Sequence, residues 1–372
     1  MLIMVALFVA TVFLAYSNGS NDNFKGVATL YGSNAASYKV SITVATLATL
    51  LGCVCSLFLA NGLAQAFSGK GLVDASIASS PNFLLAVSLS AGVTVILATV
   101  LGFPVSTTHG LTGALVGAGF VAVGRAINLK VLGNAFFLPL IFSPIISIAL
   151  TVPIYKAAHE MANRMGISRT LCLCVGPAQY VPVSSISLAE VSVLGHASVT
   201  TGQLEDCVYK YDGQMFGVSA QGAVNVAHYM SAIALSFARG LNDTPKIAGL
   251  LLVVHWLDIK LGVLVVASGM AIGGLVNARK VAETMSRKIS KMNDGQALTA
   301  NLMTAVLVIF ASKLGLPVST THVSVGAITG IGLINGSANY GVVRGILLSW
   351  ILTLPVAALL GATFYFLLTH FN

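Results

Sequence analysis

Ten apolar runs constrain what this chain can become more than any other feature of its sequence. They cover residues 1 to 17, 40 to 60, 83 to 103, 105 to 123, 131 to 155, 223 to 238, 261 to 277, 298 to 312, 317 to 335 and 342 to 368. An α-helix needs about 20 such residues to cross ~30 Å of hydrocarbon, and most of the runs approach that length. Only 8% of the 372 residues are charged and 56% are apolar, whereas soluble domains carry about a quarter charged residues. Nineteen basic and eleven acidic side chains cannot coat a globule of this size in water. The expected fold class is therefore an all-α polytopic membrane protein, with the lipid bilayer as its first partner. Its net charge of +8 does not indicate nucleic-acid binding, because Lys and Arg stand singly between the apolar runs and mark loops on the cytoplasmic side. Residues 1 to 15 lack a basic leader and a small-residue cleavage site, so they read as a retained span. Cys53 and Cys55 lie in an apolar run without a nearby His, which favours packing over metal binding, and Cys172, Cys174 and Cys207 add no disulfide framework.

The polar interval from Glu160 to Gln221 holds five of the eleven acidic residues and separates two clusters of five runs. The expected organisation is an N-terminal transmembrane repeat over 1–159, a polar cytoplasmic connecting segment over 160–222 and a C-terminal transmembrane repeat over 223–372. The two clusters are related in sequence. Asn21 and Asp22 match Asn242 and Asp243 at an offset of 221, which also carries Lys25 onto Lys246, Lys39 onto Lys260 and Gly52 onto Gly273. Pro104-Val105-Ser106-Thr107-Thr108-His109 recurs at an offset of 213 as Pro317-Val318-Ser319-Thr320-Thr321-His322, with Gly113, Gly117 and Gly119 falling on Gly326, Gly330 and Gly332.

Charge orients the repeats. Loop 61–81 carries Lys70 and Asp74, while its counterpart 278–297 carries Arg279, Lys280, Arg287, Lys288 and Lys291. The positive-inside rule puts the first loop outside and the second in the cytoplasm. Equivalent loops on opposite sides require an odd number of crossings per half, in agreement with five. The halves are thus expected to be inverted-topology repeats, with broken helices and re-entrant hairpins meeting at the midplane, where many secondary transporters place their substrate.

Asp22 and Asp243 sit in polar interruptions, Ser17 to Asn23 and Arg239 to Pro245, rich in residues that break or cap helices. A helix broken at membrane depth must line a cavity or be buried in protein. The oxygens of Asn21, Asp22, Asn242 and Asp243 suit a hard cation such as Na+; capping of a surface turn is the bland alternative. In the twin Pro-Val-Ser-Thr-Thr-His segments, a proline and three hydroxyls precede an apolar run, as at a helix start whose free N–H groups attract an anion. Ser106, Thr107, Thr108, Ser319, Thr320 and Thr321 are the candidate anion ligands, with ordinary capping and close Gly-x-x-x-Gly packing behind them. Lys25 and Lys246 read as neutralising the carboxylates, as attracting the anion or, equally, as snorkelling. Asp258 reads as part of an interfacial turn. His109 and His322 beside the hydroxyls do not form a hydrolase triad, since neighbours at a helix start do not face one another and no third group orients them.

The segments Gly19-Ser20-Asn21-Asp22-Asn23-Phe24-Lys25-Gly26 and Arg239-Gly240-Leu241-Asn242-Asp243-Thr244-Pro245-Lys246, with the two Pro-Val-Ser-Thr-Thr-His segments, resemble the duplicated signature of the inorganic phosphate transporter (PiT) family. That resemblance implies import of inorganic phosphate coupled to sodium or protons at one central site, with no cofactor beyond the coupling ion and no enzymatic activity. Sulfate permeases occur in the same family. The first copy departs from the common form after Asp22, where Asn23-Phe24-Lys25 follow, so the last Asn of the family motif is not carried over to this chain. The sequence reading is a Na+-coupled symporter, multi-pass in the cell membrane, with a homodimer as the assembly to test; proton coupling, sulfate transport and an anion channel are its alternatives.

Overall fold

The computed structural model describes residues 1–60, 63–64, 67–69, 71–164, 171–174, 207–210, 214–215, 218–254 and 256–370. Ten long helices lie on the ten apolar runs. The first five are α1 (Leu2–Asp22), α2 (Tyr38–Leu59), α3 (Pro81–Leu101), α4 (Thr107–Val123) and α5 (Leu138–Arg164). The second five are α6 (Ala220–Ala248), α7 (Ile259–Asn277), α8 (Asp294–Lys313), α9 (Thr320–Asn335) and α10 (Tyr340–His370). Two compact units emerge: residues 1–156 with 227–372, and residues 157–226. Within the smaller unit two short antiparallel ladders form, Leu171–Cys174 with Cys207–Lys210 and Gln214–Met215 with Val218–Ser219. They are small additions to a nearly all-helical protein.

Among the described residues, seven helical stretches are long and apolar enough to cross a membrane, from Leu2–Gly32 to Tyr340–His370. The chain is a multi-pass membrane protein. The other three of the ten helices fall short for identifiable reasons. Helices α4 and α9 have only 17 and 16 residues, and α6 dilutes its apolar residues with Gln221, Asn225 and His228 before the charged stretch Arg239 to Lys246. The larger unit puts apolar side chains outward, among them Leu47, Leu51 and Phe58 on α2 and Ile351, Leu352 and Leu359 on α10. Its interior holds Asn18, Asn21, Asp22, Asn242 and Asp243, all nearly sealed from solvent. A body solvated by hydrocarbon can leave its apolar faces uncovered, so its polar groups gather where protein can satisfy them.

Glycines set how closely the halves approach. A Cβ on Gly19 of α1 would lie 1.9 Å from Met270 O of α7, and one on Gly240 of α6 would lie 2.2 Å from Thr49 O of α2. Gly273 on α7 meets Tyr16 O at 2.0 Å, and Gly52 on α2 meets Phe237 O at 2.1 Å. Under the offset of 221 each contact is the image of another, so α1 packs on α7 as α6 packs on α2. Only glycine permits backbones this close. Helices α4 and α10 meet in the same manner, with Ala358 O 1.8 Å from a Cβ on Gly117.

The breaks fall elsewhere than the sequence led us to expect. Helix α1 runs through Ser17 to Asp22 and tightens into a 3-10 turn over Asn23–Val27 without a loop. Helix α6 passes through Arg239 to Pro245 unbroken and tightens only at Gly249–Leu251. The polar side chains here find partners across the core, so the backbone need not open to satisfy them. The true interruptions are the Pro-Val-Ser segments. After α3, Gly102 takes φ +78°, and residues 103–106 are extended before α4 begins. After α8, Gly315 takes φ +68°, and residues 316–319 form no helix before α9, with Val318 N turned back onto Leu316 O at 2.9 Å. Glycine allows the left-handed stop, and proline two residues on prevents the helix from resuming.

Candidate functional site

Each non-helical segment is held by the asparagine of the matched signature. Asn21 Nδ2 donates to Thr99 Oγ1 at 2.9 Å and to Phe103 O at 3.0 Å, and Asn21 Oδ1 accepts from Val105 N at 3.1 Å. Asn242 Nδ2 donates to Val318 O at 3.3 Å, and its Oδ1 accepts from Ser312 Oγ at 3.1 Å. Thr99 and Ser312 are themselves equivalent at the offset of 213. A non-helical stretch inside a membrane protein leaves N–H and C=O groups that water cannot reach, and these side chains meet that demand.

The carbonyls of Val105 and Val318 are met by lysines. Lys25 Nζ donates to Val105 O at 2.7 Å, to Thr321 Oγ1 at 2.6 Å, to Asn21 Oδ1 at 2.8 Å and to Asp22 Oδ1. Lys246 Nζ donates to Val318 O at 2.8 Å, to Thr108 Oγ1 at 2.9 Å and to Asp243 Oδ1 at 3.3 Å. Each ammonium therefore pairs with the aspartate three residues before it and reaches a threonine of the opposite half. Both lysines are buried, so the snorkelling reading fails. Their charges stay inside because a carboxylate and neutral oxygens together replace water.

A third contact closes the centre. Asn18 Nδ2 donates to Asp22 Oδ2 at 3.0 Å, to Thr107 Oγ1 at 2.9 Å and to Asp243 Oδ2 at 3.4 Å, so it bridges the aspartates of both halves. Thr107 Oγ1 in turn donates to Asp22 Oδ2 at 3.2 Å. Ser106 caps α4 by accepting from His109 N at 3.2 Å, and Ser319 caps α9 by accepting from His322 N at 3.1 Å. Those caps leave the serine O–H groups free to turn toward a ligand. Thr108 and Thr321 are spent differently: each accepts from a lysine and donates to a valine carbonyl of the other half, at 3.3 Å and 2.9 Å. Thr320 is buried beside them.

Of the ten residues singled out from the sequence, Asn21, Asp22, Asn242, Asp243, Thr107, Thr108 and Thr321 are joined in one buried hydrogen-bonded centre, while Ser106, Ser319 and Thr320 are buried at the adjoining starts of α4 and α9. His109 and His322 come together as well, ring centroids 4.5 Å apart and nearly perpendicular, and His322 stacks on Trp350. Asp258 instead caps α7, accepting from Lys260 N at 2.7 Å. Sequence reasoning missed Asn18 and Arg239. The offset of 221 carries one onto the other, and polar residues this deep in an apolar run were the available signal.

A charged centre sealed inside a helical body with apolar outer faces is an arrangement that a membrane transport protein requires. The phosphate transporter family model matches residues 18–361, and the chain belongs to that family. A Pyrococcus abyssi protein described as a phosphate permease is 28% identical over 394 residues, covering 95% of this chain and 94% of its own. The inorganic phosphate transporter 2-1, chloroplastic, of Arabidopsis thaliana is 25% identical, covering 99% of this chain and 72% of its own. Among solved structures, the sodium-dependent phosphate transporter superposes with a TM-score of 0.75 at 25% identity, covering 99% of both chains.

Proposed function

We propose that this chain is a secondary active transporter that imports inorganic phosphate together with a cation, by alternating access between two inverted halves. The observation that carries the reading is the buried centre where groups from both halves interlock, Lys25 on Thr321 and Lys246 on Thr108. Those cross-contacts are the bonds that rocking one half against the other would exchange. The starts of α4 and α9 would supply backbone N–H groups and the hydroxyls of Ser106, Ser319 and Thr320 as donors to phosphate, and those of Thr107, Thr108 and Thr321 once rocking releases the bonds they make to Asp22, Val318 O and Val105 O. An ion near the bilayer centre is unfavourable by several kcal/mol or more, so anion and cation gain by entering together.

Two readings of the cation follow from particular observations. Sodium at Asn21, Asp22, Asn242 and Asp243 is supported by their oxygen chemistry and by the likeness to a sodium-dependent transporter. Proton coupling is favoured by the ammoniums of Lys25 and Lys246, which already take the oxygens that sodium would need. Location in the cell membrane, with 160–222 and 278–297 cytoplasmic, and assembly as a homodimer complete the proposal. The test is uptake of labelled phosphate into proteoliposomes with sodium and pH gradients imposed separately. Accumulation under either gradient supports symport and names the ion. Sulfate taken up in preference to phosphate would reassign the substrate.

A further inference from the structure

Asn18 and Arg239 occupy the same place in the two halves, four residues before Asp22 and Asp243. Residues four apart on a helix share a face, so each stands one turn from its aspartate. Both are buried, at 0% and 1% exposure. Two of the three acceptors of Asn18 Nδ2 are carboxylate oxygens. Ionised carboxylates only accept, which fixes which end of the amide faces them. Asn18 Oδ1 therefore points away from the aspartates, and it has no hydrogen-bond partner among the described residues. Nε, Nη1 and Nη2 of Arg239 have none either. Arg239 lies within electrostatic range of Asp22 and Lys25.

Buried polar groups are nearly always satisfied, and a buried charge without a partner is strongly unfavourable. The charges at the centre sharpen the point. Lys25 pairs with Asp22 and Lys246 with Asp243, which leaves Arg239, among the described residues of the centre, as a cation with no carboxylate in ion-pair contact. The centre thus offers one unbalanced positive charge, a planar fork of donors and one lone acceptor. A singly charged anion that also carries a hydrogen-bond donor complements all three. Phosphate with two protons is such an anion, having unprotonated oxygens for the guanidinium and P–OH groups for an acceptor. Sulfate at neutral pH has no proton to give.

We propose that Arg239 and Asn18 form a recognition pair for singly charged, protonated phosphate, with Arg239 donating to its bare oxygens and Asn18 Oδ1 accepting from a P–OH. The pair rests on phosphate being the substrate and adds its protonation state and the basis for rejecting sulfate. A site built to accept a proton discriminates against a ligand that lacks one, because the acceptor would be left unpaired.

The experiment measures equilibrium binding of labelled phosphate to the purified full chain in detergent, together with the thermal midpoint with and without phosphate. Arg239→Gln should weaken binding about tenfold to hundredfold, the loss of hydrogen bonds to a charged group. Its midpoint without phosphate should rise, since an unpaired buried charge is gone, and phosphate should no longer raise it further. Arg239→Lys should recover part of the affinity. For the parent, affinity should fall as pH rises and phosphate gives up its second proton, and sulfate should compete poorly. Arg239→Gln binding phosphate as tightly as the parent overturns the proposal. So does a lowered midpoint or failure to fold, which would make Arg239 a structural residue. Affinity that follows the dianion, or sulfate competing as well as phosphate, overturns the role of Asn18. A parent that binds no phosphate at any pH refutes the substrate reading itself, a failure distinct from the others.

Discussion

Replacing Lys25 with Met tests whether the lysines act as built-in cations. The ammonium gives hydrogen bonds to Asn21 Oδ1, Asp22 Oδ1, Val105 O and Thr321 Oγ1. Removing one partner of a buried ion pair costs roughly 3–5 kcal/mol, because the other charge stays buried. Asp22 Oδ2 keeps the donors Asn18 and Thr107, and Val105 O keeps Thr321 at 2.9 Å. The loss should therefore sit at the lower end, about 3 kcal/mol. The double variant with Asp22→Asn should recover part of it, with a coupling of about 1.5 kcal/mol or more. In Lys25→Met the four vacated oxygens form a set suited to a hard cation. Sodium chloride should then stabilise the variant where choline chloride does not. Unfolding of purified protein in detergent, in each salt, reads all three effects. A variant as stable as the parent, or one indifferent to which salt is present, would refute the reasoning.

Other perturbations probe separate links. Ser106→Ala and Ser319→Ala should each cost about 0.5–2 kcal/mol through loss of the cap on α4 or α9, measured by the same unfolding assay, and should weaken phosphate binding. Gly117→Ala places a Cβ 1.8 Å from Ala358 O and should destabilise the protein by about 1–3 kcal/mol, as overpacking does; a neutral effect would mean that α4 and α10 separate without strain. For topology, cysteines at Asp74 and Lys288, both exposed, should label from opposite sides of sealed vesicles in a background without native cysteines. Labelling from one side would contradict the inverted repeat.

Much of the fold was legible because hydrocarbon is an undemanding solvent. Apolar runs of membrane length could only become helices, and all ten did. The central residues were legible because the sequence states them twice: one Asn-Asp pair could be a surface cap, but two at a fixed offset mark a shared centre. The position of the breaks was not legible. Asn, Asp and Gly around residues 17 to 23 signal a helix end only when their side chains must serve the local backbone. Here Asn21 serves the extended segment 103–105, some 80 residues along the chain, and α1 continues. The role of Thr108 and Thr321 was hidden for the same reason, since their lysine partners lie in the opposite half. Arg239 escaped notice because a lone Arg beside a glycine reads as a loop residue until burial shows otherwise.

Transport itself is the most direct test of the central claim. Labelled phosphate should accumulate inside proteoliposomes above its external concentration when an inward cation gradient is imposed, and return to equilibrium when an ionophore collapses that gradient. Asp22→Asn and Asp243→Asn should each abolish the accumulation, because the amide keeps the shape but removes the charge on which coupling depends. Phosphate that only equilibrates, at a rate indifferent to any cation gradient and unchanged in both variants, would show a channel and contradict the account.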